Sequence, residues 1–166
     1  MDNSNLAQRL QKLEDADAIR ALKSRYFACC DAKDTAGMRA CFADGKVHID
    51  YGVIGIYDQA DALVRIFKEI GCHDYMVEMH HGVNPQIEVL DAERARGTWG
   101  LHYFLINTRD QTLTQLGGTY DDEYRKTPGG WKISSTRFVA TSTLALNISE
   151  GVAKTLFAGR SAAPPA

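Results

Sequence analysis

Hydrophobic positions along this chain change rhythm about halfway. In the first half they recur at steps of three and four, the spacing of one helix face; in the second they tend to alternate, the spacing of one strand face. Leu6, Leu10 and Leu13 open a helical rhythm that continues through Ile19, Leu22, Tyr26 and Cys29 or Cys30. Asp15 or Asp17 stands where a fresh helix start within this stretch would be capped. A short second helix is predicted over residues 35–42, ended by Ala43-Asp44-Gly45. Residues 47–51 form a β-type run between Gly45 and Gly52. Residues 58–70 read as a third helix with Ala62, Leu63, Ile66 and Phe67 on one side.

Four longer strands follow, over residues 75–90, 93–107, 112–124 and 131–142, separated by short polar connections that include Pro128-Gly129-Gly130. Strands joined this tightly make an antiparallel meander. Gly117-Gly118 lies within a strand and marks a bulge or sharp bend. Helices first and strands afterwards predict an α+β domain rather than an alternating α/β one. The expected architecture is a cone-shaped, half-open barrel: N-terminal helices packed on a curved, mainly antiparallel sheet that encloses one apolar pocket.

Composition narrows the function without naming it. The 166 residues suit one domain, taken as 1–160, with SAAPPA at 161–166 as a disordered tail. Hydrophobic residues make up 45% and charged residues 24%, the profile of a soluble globular protein. A net charge of −2 without a basic patch weighs against nucleic acid or an anionic membrane as partner. No apolar run reaches membrane-spanning length, and residues 1–5 lack the order of a secretory leader, so the expected location is cytoplasmic. Cys29, Cys30, Cys41 and Cys72 have no metal-site spacing and read as buried reduced thiols. His48-x-Asp50 could begin a two-histidine, one-carboxylate iron site, but that motif belongs to all-β barrels and this chain opens with helices. With no phosphate-cradling glycine loop and no Gly-x-Ser-x-Gly elbow, no metal and no cofactor is expected.

The segments AIRALKSRYFACCDAKD, VHIDYG, MHHGVNPQI and GGTYDDEYRKTPGGWKI resemble the SnoaL-like branch of the nuclear transport factor 2-like superfamily, with bile acid 7α-dehydratases and scytalone dehydratases as the nearest patterns. The resemblance covers residues 12–141 and implies a site between the first helix and the concave face of the sheet. It implies catalytic roles for Tyr26 and Asp31 on the helix, Tyr51 on the first strand, and His80. Where the bile acid enzymes carry an acidic residue after their Gly-x-Trp motif, this chain has Tyr103.

Periodicity alone sends His80 and His81 to opposite faces without choosing between them; the resemblance selects His80. Met76, Glu78 and Gly82 share the face of His80. A pocket histidine suits proton abstraction near neutral pH and needs a partner such as Asp31 to fix its tautomer. An ideal helix sets Asp31 about 140° around from Tyr26, so both line one site only if the helix ends near Asp31 or the pocket wraps around it. Tyr26 and Tyr51 are either core residues with satisfied hydroxyls or hydrogen-bond donors to substrate. Trp99, Leu101 and Tyr103 share a face and are expected to wall the substrate pocket; His102 and Phe104 on the opposite face suit contact with another copy, a homodimer or higher homo-oligomer. These residues predict a cofactor-free, dehydratase-like lyase acting on a small hydrophobic cyclic hydroxy-carbonyl compound. The alternatives are a steroid or polyketide isomerase or cyclase, or a non-catalytic small-ligand binder or assembly subunit.

Overall fold

The computed structural model describes residues 3–148. Helices α1 (Asn3–Asp31) and α2 (Thr35–Ala40) are followed by strand β1 (His48–Asp50), a 3-10 turn (Gly52–Ile54), strand β2 (Ile56–Tyr57) and helix α3 (Ala60–Ile70). Four long strands complete the chain: β3 (Met76–Val89), β4 (Arg94–Asn107), β5 (Thr112–Thr127) and β6 (Gly130–Asn147). They form one sheet in the order β2-β1-β6-β5-β4-β3, antiparallel throughout except where β1 runs parallel to β6. This is the expected α+β architecture of helices on a curved, mainly antiparallel sheet. The predicted strand at 47–51 is shorter than expected and β2 was not anticipated; β5 runs longer because its ladder with β6 continues almost to the Pro128-Gly129 turn, and β6 because its far end pairs with the start of β5, out to Thr112↔Asn147. The tail assigned to residues 161–166 lies outside the described residues.

One apolar stripe on α1 builds the core. Ile19, Leu22, Tyr26, Phe27, Cys29 and Cys30 are buried at helical spacing, against Phe42, Ile49, Tyr124 and Ile133 from the rest of the chain. The helix is continuous, so neither Asp15 nor Asp17 caps a new start. Asp17 is exposed. Asp15 is buried in mid-helix because its partners come from far along the chain: Lys126 Nζ at 2.6 Å and Trp131 Nε1 at 2.9 Å, from either side of the β5–β6 turn. Leu6, Leu10 and Leu13, which begin the same rhythm, are exposed.

Two features shape the concave side. At Gly82 the sheet comes so close to α1 that an added Cβ would sit 2.4 Å from the Phe27 ring, which brings β3 within reach of the end of that helix. At Gly117/Gly118 the β5–β6 register shifts, the bulge expected from the sequence, and a Cβ on Gly118 would meet the Phe138 ring at 2.4 Å. Among the described residues no helix is long and apolar enough to cross a membrane.

Candidate active site

The end of α1 positions the first functional group. Asp31 closes the helix, and Lys33, in the left-handed conformation at φ 59°, turns the chain away so that the carboxylate stands clear of the helix wall. It faces β3. Asp31 Oδ1 lies 2.6 Å from His80 Nδ1, and both carboxylate oxygens accept the His80 backbone N–H at 3.1 Å. One residue is thus gripped twice by one carboxylate, which fixes the ring and places the donor proton on Nδ1. Phe27 stacks on the imidazole at 5.7 Å with an interplanar angle of 12°, and Tyr103 meets it edge-on at 4.7 Å. His80 lines a cavity, and with Nδ1 committed to Asp31 its Nε2 is left to meet a ligand. His81 is exposed on the other face of the sheet, 6.2 Å from its cross-strand neighbour His102, which is exposed too.

The cavity holds about 220 Å³ and lies between α1, α3 and the concave sheet. Its wall is mostly apolar: Met38, Ile54, Leu63, Ile66, Phe67, Ile70, Met76, Leu101, Leu116 and Phe138. Polar groups enter from two sides. On one, Tyr26 and Tyr51 join their hydroxyls at 2.9 Å. Burial raises both phenols well above the ordinary range, so both remain protonated donors. On the other side, next to His80 on the same face of β3, stands Glu78. Its carboxylate accepts the Tyr103 hydroxyl at 2.8 Å and pairs with the Lys33 ammonium. Burial and then the Glu78 charge push the Tyr103 phenol upward, so its proton stays committed to that carboxylate.

Three outcomes concern residues singled out in the sequence. Leu101 and Tyr103 line the cavity, but Trp99 does not: it is buried beneath, where its indole N–H donates to the Tyr124 hydroxyl at 2.9 Å. Alternation along β4 is right, but the cavity extends over only part of that face. Asp31 stands behind His80 rather than on the cavity wall, which resolves the angular conflict with Tyr26. Cys30 reaches the cavity, but burial raises its thiol strongly, and Cys41 is pushed up to about 11, so neither is poised as a thiolate.

Three residues escaped the sequence reading. Glu78 was placed on the correct face without a role; its i, i+2 spacing from His80 was the available signal. Tyr120, on β5, lines the cavity and nothing local distinguished it. Lys23 is fully buried in the apolar stripe of α1, with Nζ 2.8 Å from Asp122 Oδ2 in a sealed ion pair. Among the described residues no group of three or more His, Cys, Asp or Glu is arranged to hold a metal ion.

An α+β half-open barrel with a mostly apolar cavity and a histidine–carboxylate pair at its edge defines a class of small-molecule domains. Within that class the chain belongs to the SnoaL-like domain family, whose model matches residues 11–137. Solved structures with the same fold include a hexachlorocyclohexane dehydrochlorinase, LinA type 2 (19% identical, 93% of this chain and 97% of that one, TM-score 0.73). A candidate scytalone dehydratase from Novosphingobium aromaticivorans is also similar (19% identical, 96% and 95%, TM-score 0.71). So is a candidate aromatic ring hydroxylase from the same organism (18% identical, 81% and 94%, TM-score 0.72). Such different names on one backbone mean that chemistry must be argued from the side chains.

Proposed function

We propose that this protein is a cofactor-free lyase that removes water from a small, neutral, cyclic β-hydroxy carbonyl compound. The observation that carries the reading is the 2.6 Å contact between Asp31 and His80 Nδ1, with the His80 ring on the wall of an apolar cavity. Nε2 takes the proton from the carbon next to the carbonyl, and the C–H electron pair moves into an enolate. Asp31 supports the imidazolium that results. The enolate collapses to a carbon–carbon double bond and expels the hydroxyl, which leaves as water with the proton returned by the imidazolium. The Tyr26–Tyr51 pair supplies a phenol for a substrate oxygen. Two solved relatives named for eliminations, a dehydrochlorinase and a candidate dehydratase, support the same reaction class.

Size and charge select the substrate. A mostly apolar cavity of about 220 Å³ suits a small neutral ring compound. Asp31 and Glu78 outnumber the single ammonium of Lys33 around the base, which disfavours carboxylate substrates.

The test is a panel of mono- and bicyclic β-hydroxyketones followed by ultraviolet absorbance of the enone product. His80→Ala is expected to lower turnover by roughly 10²- to 10⁴-fold with the melting temperature nearly unchanged. Undiminished turnover in that variant discards the proposed base, and migration of a double bond without loss of water reassigns the protein as an isomerase.

A further inference from the structure

Tyr120 is the one cavity phenol not yet given a task. Strand alternation on β5 puts it on the concave face, two residues before Asp122. It is only 5% exposed and lines the cavity, yet its hydroxyl makes no hydrogen bond with any described residue. The other three phenols of the wall differ: Tyr26 and Tyr51 hold each other, and Tyr103 is held by Glu78. With no partner in the wall, this hydroxyl is left to donate to whatever fills the cavity.

The reverse side of the Tyr120 ring is as informative. Lys23 Nζ lies 3.7 Å from the ring centroid, with Phe27 at 5.2 Å and Tyr26 at 5.3 Å completing an aromatic seat. The ammonium is sealed from solvent, and Asp122 is its counter-ion. A cation over a phenol ring draws electron density toward the ring face and away from the O–H, and so strengthens the hydrogen bond that the hydroxyl donates to an anion. Burial holds the hydroxyl protonated, which keeps it a donor. Phe27 touches both His80 and Tyr120, each at 5.7 Å between ring centroids, so base and donor flank the same ring.

We propose that Tyr120 is a further catalytic residue, the donor that binds the carbonyl oxygen of a neutral ring ketone and its enolate, and that Lys23 is a positioning residue that strengthens this donor from behind. The part played in turnover rests on the lyase reading. The oxyanion site itself does not: the same donor would bind a phenol, whose oxygen resembles an enolate oxygen.

The probe is therefore 2-naphthol, a bicyclic phenol whose absorbance and fluorescence report both binding and ionisation. Wild-type protein is expected to bind it and to lower the pH at which it ionises. Tyr120→Phe, which keeps the ring over Lys23 and removes only the hydroxyl, should weaken binding about tenfold. Lys23→Gln, with Lys23→Met/Asp122→Asn as a second variant that leaves no unpaired charge, should raise the ionisation pH of the bound probe by about one unit. A purely structural lysine would change the melting temperature and leave that ionisation alone. No binding to wild type up to 1 mM, or equal binding by Tyr120→Phe, overturns the site; unchanged ionisation in the folded Lys23 variants overturns the role of the lysine. His80→Gln separates this inference from the lyase reading: it should lose turnover and still bind 2-naphthol, whereas full turnover in that variant sinks the lyase and leaves the Tyr120 result standing.

Discussion

Two ion pairs join α1 to the sheet, eight residues apart on the helix, and their surroundings differ. Lys23–Asp122 is closed at 2.8 Å with both side chains at 0% exposure. Asp31–His80 is closed at 2.6 Å with 27% and 13% exposure, and the imidazole borders a cavity. The sealed pair has nowhere to send a proton. Burial presses the Lys23 pKa downward, and the charge of Asp122 works against that. Asp122 Oδ1 has no hydrogen-bond partner, and the Lys23 contact is short but poorly aligned as a hydrogen bond. The open pair has a ring nitrogen to spare and a mostly apolar cavity beside it. The same kind of contact thus supplies a fixed internal charge in one place and a proton acceptor in the other, and access alone separates them.

Substitutions can break that contrast. The largest effect is expected for Lys23→Ala, which leaves a buried carboxylate without its cation and should destabilise the fold by about 4 kcal/mol, measured by denaturant unfolding. Asp31→Asn should act on chemistry instead: turnover of a β-hydroxyketone falls about 10²-fold while the protein stays folded, because the amide can no longer support a charged imidazole. Comparable stability losses in the two variants would erase the distinction.

A third contact sharpens it. Asp15 ties α1 to Lys126 and Trp131, and Asp15→Ala should cost about 2 kcal/mol by leaving the buried indole N–H unpaired. Burial tends to raise the Asp15 pKa, but the Lys126 and Trp131 hydrogen bonds outweigh it and hold the value below the ordinary 3.8. The unfolded chain therefore takes up the proton first. The contribution is complete above pH 3.8 and is lost as pH falls through the lower folded value, so wild type and Asp15→Ala should converge in acid melts. The smallest effect is expected at Glu78→Gln, which weakens the contacts with Tyr103 and the partly exposed Lys33 but keeps an oxygen to accept from both, and should cost about 1 kcal/mol by thermal melting.

Much of the fold could be read in the residue pattern. The stripe from Ile19 to Cys30, the third helix and the four long strands all have local periodicity, and the Gly117-Gly118 bulge has a local cause. The errors arise where the partner is remote. Asp15 resembled a cap because Lys126 and Trp131, more than a hundred residues away, are invisible from its neighbours. The site divides in the same way. A family resemblance, not local periodicity, singles out His80, Asp31, Tyr26 and Tyr51, and Trp99 lies off the cavity because alternation gives a face and not the extent of a cavity.

By itself the sequence determined which residues share a helix stripe or a strand face, since those follow from two fixed backbone periods. Only the tertiary structure decided which buried charge is sealed and which is open, that Lys23 lies behind Tyr120, and that the Tyr120 hydroxyl has no partner. Those properties depend on how a helix and a curved sheet meet in three dimensions, and no local pattern of residues encodes the gap left between them.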